Sequence, residues 1–132
     1  MTKVQTATGT TAQSASTLCR VGIYSVAANG DITLVASTAD AHATLWVATT
    51  TLYETALSAS FNKVRGTWYA VGLLSVGAAP TWIGQIALPG DVANAAPKLG
   101  GVMTGLSDLP TGTTAAASIA GTGHIPYAVL VP

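Results

Sequence analysis

Apolar positions in this chain recur with a period of two over short runs, and no window of ten or more residues carries a convincing helical period of 3.6. From Leu18 to Ala27, Cys19, Val21 and Ile23 share one face and Arg20, Gly22 and Tyr24 the other, as in a strand. Ala28-Asn29-Gly30-Asp31 follows. Asn-Gly supplies the positive φ angles of a type I′ turn, the strongest short-range hairpin signal. Beyond it Ile32, Leu34 and Ala36 alternate with Thr33, Val35 and Ser37, so the pattern predicts a closed hairpin.

The same reading extends along the chain. Residues 2–16 are rich in Thr, Ala, Gln and Ser, and read as an edge strand followed by a polar loop. Thr44 to Ala48 and Leu52 to Leu57 read as short strands, and Phe61 to Gly66 as a loop. Thr67 to Val76 is apolar on both faces, with Trp68, Ala70 and Leu74 on one and Tyr69, Val71 and Leu73 on the other. That pattern predicts a central strand packed on two sides, with Trp68 in the core and Trp82 to Leu88 as its partner strand. Residues 89–112, rich in Gly and Pro, read as irregular. His124 to Val131 reads as a closing strand with Ile125, Tyr127, Val129 and Val131 on one face. Several short strands separated by turn signals predict a single all-β domain over 1–132, an antiparallel sandwich or barrel.

Composition changes the picture in one respect. The chain is 49% hydrophobic and only 8% charged, against about 25% charged in a typical soluble domain. With 20 Thr and 9 Ser against 10 charged residues, the polar surface is expected from hydroxyls. Formal net charge is zero, and Lys3, Arg20, Lys63, Arg65 and Lys98 are scattered, with only Lys63 and Arg65 close together. Phosphate neutralisation needs clustered cations, so nucleic acid is not an expected partner. The uncharged run from Trp68 to Gly90 is 23 residues, long enough to span a bilayer. Gly77, Pro80 and Thr81 break it, and two strands joined by a turn fit better than membrane insertion. The N-terminal residues contain no apolar signal-peptide region.

Candidate chemistry is sparse. Cys19, the one cysteine, lies in an apolar run and is expected buried, as free Cys commonly is. His42 and His124 lack ligand partners at metal-binding spacing, apart from Asp40 two residues before His42. Ser75 has no nucleophile-elbow context. Asp31, Asp91 and Asp108 read as turn or capping residues, and Glu54 has no facing carboxylate for glycosidase chemistry. These absences point to no catalytic residue, no metal site and no cofactor. Trp46 and Trp82, which flank loops, are the candidate ligand-binding residues, as stacking platforms for a sugar.

Leu18-Cys19-Arg20-Val21-Gly22-Ile23-Tyr24-Ser25, Asn29-Gly30-Asp31 and Arg65-Gly66-Thr67-Trp68-Tyr69-Ala70-Val71-Gly72, in this order, resemble β-sandwich domains of phage tail proteins. The nearest group is minor tail and tail-fibre proteins of phages infecting actinobacteria. Gly105-Leu106-Ser107-Asp108-Leu109-Pro110 and Ile125-Pro126-Tyr127 resemble the same group. The match runs from residue 18 onward and rests on turn and strand signatures. It implies a jelly-roll-like antiparallel β-sandwich, a homo-oligomer with a trimer favoured, and a non-enzymatic role in the virion tail, in assembly or host attachment. In that group one or two strands precede the segment matching Thr2 to Thr8, so an open edge or a fragment of a longer tail protein is expected here. Other virion proteins and a host cell-envelope glycan are the expected partners. A carbohydrate-binding module and a capsid decoration protein are the alternatives. Receptor contacts are expected on loops, at residues 38–43, 58–66 and 89–112.

Overall fold

The computed structural model describes residues 1–86 and 96–132 and is all-β, with strands joined by loops and one short 3₁₀ turn at Ala116–Ser118. One sheet contains β1 (Lys3–Ala7) between β4 (Leu52–Ala56) and β11 (Ala128–Val131). A second contains β5 (Trp68–Ala78), β2 (Ser14–Val26), β3 (Ile32–Ser37) and β8 (Thr113–Thr114), in that order. Two ribbons complete the fold: β6 (Gly84–Ile86) with β10 (His124–Pro126), and β7 (Gly101–Val102) with β9 (Ala120–Gly121). Every pairing is antiparallel.

The core lies between the two larger sheets, as in a sandwich. Val4 enters from β1, and Cys19, Val21 and Ile23 from β2. Leu45, Trp46 and Leu57 enter from connecting segments, with Tyr69, Val71, Leu73 and Leu130 packed around them. The two faces read for β2 are those observed, and Cys19 is fully buried. The inner residues of β2 face those of β5 through the register Val21↔Leu73 and Ile23↔Val71.

The hairpin forms, but its turn differs from the expected type I′. The Gly30 N–H bonds the Ala27 carbonyl at 2.9 Å, and Gly30 has φ +87° while Asn29 keeps a negative φ. This is the three-residue solution, a turn followed by one left-handed glycine. Further along, the register slips between Ile23 and Tyr24: Ile23 faces Ala36, whereas Tyr24 faces Leu34. Val35 is the extra residue of this bulge. Leu34 and Ala36, two positions apart, therefore lie on opposite faces of the sheet.

Five other expectations are corrected. β1 is a central strand rather than an edge, since β11 and β4 flank it. The strand expected at 44–48 does not form: residues 42–46 make a turn, and Leu45 and Trp46 are both buried, whereas neighbours in a strand point to opposite faces. β5 is the edge strand of its sheet, and Trp68 is 63% exposed instead of core. The segment after Trp82 pairs with β10 rather than β5, and residues 87–88 of the expected strand lie outside the described residues, as do 89–95 of the expected irregular region and Asp91. The closing strand is divided at Tyr127, whose N–H bonds the Ile83 carbonyl at 2.7 Å. Pro126 supplies no N–H, and it is Leu130, not Val129, that packs on the core. The uncharged run from Trp68 contains β5 and β6, and no described helix is long and apolar enough to cross a membrane.

Candidate functional site

Trp46 does not offer a stacking face. It is fully buried, its indole Nε1 donates to Thr6 Oγ1 at 2.9 Å, and its carbonyl accepts the Gln13 N–H at 2.9 Å. Its φ of +63° places a bulky residue in the left-handed region, at a cost of about 1–3 kcal/mol. Burying a large apolar side chain stabilises by about 1.5–3 kcal/mol, and the indole hydrogen bond adds to that, so packing holds the backbone there. Trp82 is half-buried and meets Trp46 edge-on, with ring centroids 5.4 Å apart. The two candidate residues are brought together, but as a packed pair and not as an open platform.

Threonine has an internal role that composition did not foretell. Thr6, Thr8 and Thr38 are buried. Thr8 Oγ1 donates to the Ala48 carbonyl at 2.7 Å and accepts the Thr51 N–H at 3.0 Å. Thr38 Oγ1 accepts the Val21 N–H at 3.0 Å. Thr8 and Thr38 thus satisfy backbone groups, and Thr6 the Trp46 indole, that would otherwise be stranded in an apolar core.

Asp40 and His42 do meet, with Nδ1 2.7 Å from Oδ2. Asp40 Oδ1 also accepts the N–H groups of Cys19 at 3.0 Å and His42 at 3.1 Å. The Cys19 amide first, and then His42, hold the carboxyl down to about 2. The carboxylate caps a turn, and no group of three or more potential metal ligands occurs among the described residues. Ser75 faces Ser16 (Oγ to Oγ, 2.9 Å) and the Cys19 thiol at 3.6 Å; no base is among these partners. Glu54 accepts from Lys3 at 2.6 Å and Gln5 at 3.0 Å, and these bonds, that from Lys3 foremost, lower its pKa.

On the outer face of β2, Gly22 and Gly72 lie opposite each other, and the Tyr24 ring covers both. A Cβ at Gly72 would fall 2.9 Å from Tyr24 Cε2. Buried Leu109 also lies over Gly22, with its Cδ1 3.1 Å from where a Cβ there would fall, and Arg20 grips Asp108 through Nη1 at 3.0 and 3.1 Å. Burial, and secondarily Asp108, push the Tyr24 hydroxyl up to about 12. The segment Gly105–Pro110 is thus a clasp across the sheet. Asp31, expected in a turn, accepts from Asn29 at 2.9 Å and from the Ala116 N–H at 2.8 Å.

Two surface features of the described residues stand out. One is the outer edge of β5, an 11-residue strand without a charge that pairs with β2 alone among the described residues. The other is the loop carrying Lys63 and Arg65, which lines an open trough of about 490 Å³ with Val64, Thr67, Tyr69 and Leu130. The β5 edge was not legible as a site, whereas the loop lies within 58–66, one of the three stretches where receptor contacts are expected on position alone. Trp68 reads as core because β5 is apolar on both faces, and two cations alone give no motif.

No protein-family model matches the chain, and neither the curated proteins nor the solved structures give a match. The resemblance to phage tail domains therefore has no support from these comparisons.

Proposed function

We propose that this chain is a non-enzymatic structural module of a multi-copy virion assembly, a phage tail-fibre or tail-tip domain that contributes to assembly and host attachment. The open edge of β5 carries the reading. A long, apolar, uncharged edge strand is a template for pairing with another chain, and free-standing proteins blunt such edges with Lys, Pro or bulges. Here 11 residues, about 35 Å of strand, run from exposed Trp68 to Ala78 with no charge on them. A second copy is the natural occupant, because an uncharged edge sets no like charges against each other when it meets itself. A twofold dimer would pair β5 with β5, whereas a trimer would set β5 against a different edge of its neighbour.

The tail placement and the jelly-roll likeness rest on the resemblance of the Cys19, Asn29-Gly30 and Gly105–Pro110 segments. A capsid decoration role would use the same edge. For a carbohydrate-binding module, Trp46 is buried and Trp82, half-buried, packs edge-on against it.

Light scattering coupled to size exclusion tests the proposal. The chain should run as a dimer or trimer at micromolar concentration, and the Trp68→Lys/Ala78→Lys variant, which charges both ends of β5, should run as a monomer. A wild-type monomer, or an oligomer indifferent to both lysines, would overturn it.

A further inference from the structure

Most charged side chains of the described residues have an ion-pair or hydrogen-bond partner. Lys3 is held by Glu54 and Arg20 by Asp108, while Lys98 Nζ donates to the Ala116 and Ile119 carbonyls. Asp31 and Asp40 are saturated by turn amides and by Asn29 and His42. Lys63 and Arg65 are the two cations without a hydrogen-bond or ion-pair partner among the described residues, and they line the same trough. Among the described residues this is a local excess of two positive charges.

The loop that presents them is fixed at several points. Val64 N–H donates to the Tyr69 hydroxyl at 3.0 Å, and Thr67 N–H to the Val64 carbonyl at 3.2 Å. Gly66, at φ +83°, occupies the third position of this turn, where a type II turn requires a positive φ. Arg65 therefore stands at the corner. At the start of the loop, the Phe61 N–H bonds the Met1 carbonyl at 3.1 Å and its ring tilts against Tyr69, centroids 5.7 Å apart. Tyr69 and Leu130 supply an apolar floor, and Thr67 a hydroxyl.

We infer that this trough binds an acidic saccharide, a sugar unit carrying a carboxylate or phosphate. The inference rests on the host-attachment part of the proposed function. Arg65 offers a planar fork to an oxyanion while Lys63 adds a point charge, and the open trough leaves the rest of a bound sugar in water. The C–H face of a sugar matches the Tyr69 and Leu130 floor. Two cations neutralise too few phosphates to hold a nucleic-acid strand at physiological salt.

Calorimetric titration tests this with three probes: oligogalacturonate, its full methyl ester as the uncharged control, and galactose 6-phosphate. The wild type should bind at least one of the two acidic probes and not the ester. Lys63→Gln/Arg65→Gln should weaken binding at least tenfold at an unchanged melting temperature, because both side chains are exposed and bond to no other described residue. Lys3→Gln, which also removes one positive charge but lies outside the trough, should leave binding unaltered. Binding of oligogalacturonate alone or of the sugar phosphate alone would each support the site and identify its anion. Failure of both acids to bind, equal binding of the ester, equal binding by the double variant, or inorganic phosphate binding as tightly as the sugars would each overturn it. Mass measured on the same samples keeps this separate from assembly: lost binding with unchanged mass is a failure of the trough and not of the β5 edge.

Discussion

Trp46 concentrates most of the core's specificity in one residue. Its indole both fills the space between the sheets and hydrogen-bonds Thr6 from a left-handed backbone. Trp46→Phe keeps most of the volume but leaves the Thr6 hydroxyl buried without its partner, so unfolding in urea should show a loss of about 1–3 kcal/mol. Trp46→Ala adds a cavity and should lose about 3–5 kcal/mol. At Tyr24, burial raises the hydroxyl from 10.0 to about 12. Of the four tyrosines, one should therefore titrate last in phenolate absorbance, and Tyr24→Phe should remove that step. The sign for stability follows. The folded state disfavours the phenolate, so this contribution is fully present below pH 10 and declines as pH rises through about 12.

At the scale of elements, the outer face of the β2–β5 pair depends on two glycines facing each other. Gly72→Ala would press a methyl group against the Tyr24 ring, and overpacking of this kind costs about 1–3 kcal/mol. Removing the ring first removes the clash. Gly72→Ala in a Tyr24→Ala background should then cost measurably less than in the wild type, and a double-mutant cycle by denaturant titration reads the difference. Additive costs would place the ring elsewhere. The motif Arg20-Val21-Gly22-Ile23-Tyr24 acquires a physical account here, since the even positions seat the clasp from Gly105 to Pro110 while the odd ones build the core.

For the molecule as a whole, association through β5 would be driven by backbone hydrogen bonds and apolar contact, with no charge pair across it. Raising sodium chloride from 0.1 to 1 M, which shortens the screening length from about 10 to about 3 Å, should therefore leave the oligomer intact by light scattering. Sulfate, which strengthens apolar burial, should stabilise it. Dissociation at high salt would mean that charged residues hold the copies together. Binding at the Lys63–Arg65 trough should respond oppositely, weakening as salt rises.

How much the sequence reveals differs from one level to the next. Alternation and the Asn29-Gly30 turn signal determined the all-β class, the inner face Cys19, Val21 and Ile23 and the hairpin, and Thr and aromatic content the strand at Leu52, because these depend on local pleat and turn chemistry. Periodicity cannot count residues across a pair of strands, so the Val35 bulge and the face switch at Leu34 were hidden. It also cannot separate an apolar strand covered on both sides from one whose outer edge is open, which is why β5 and Trp68 were misplaced. Residues 44–48 read as a strand from their composition, yet the Asp40 side chain and the pull of two adjacent side chains into the core bend them into a turn. The clasp and the trough join residues far apart in the chain, such as Arg20 with Asp108 and Arg65 with Leu130. Such meetings depend on which sheet each strand enters, and only tertiary packing decides that.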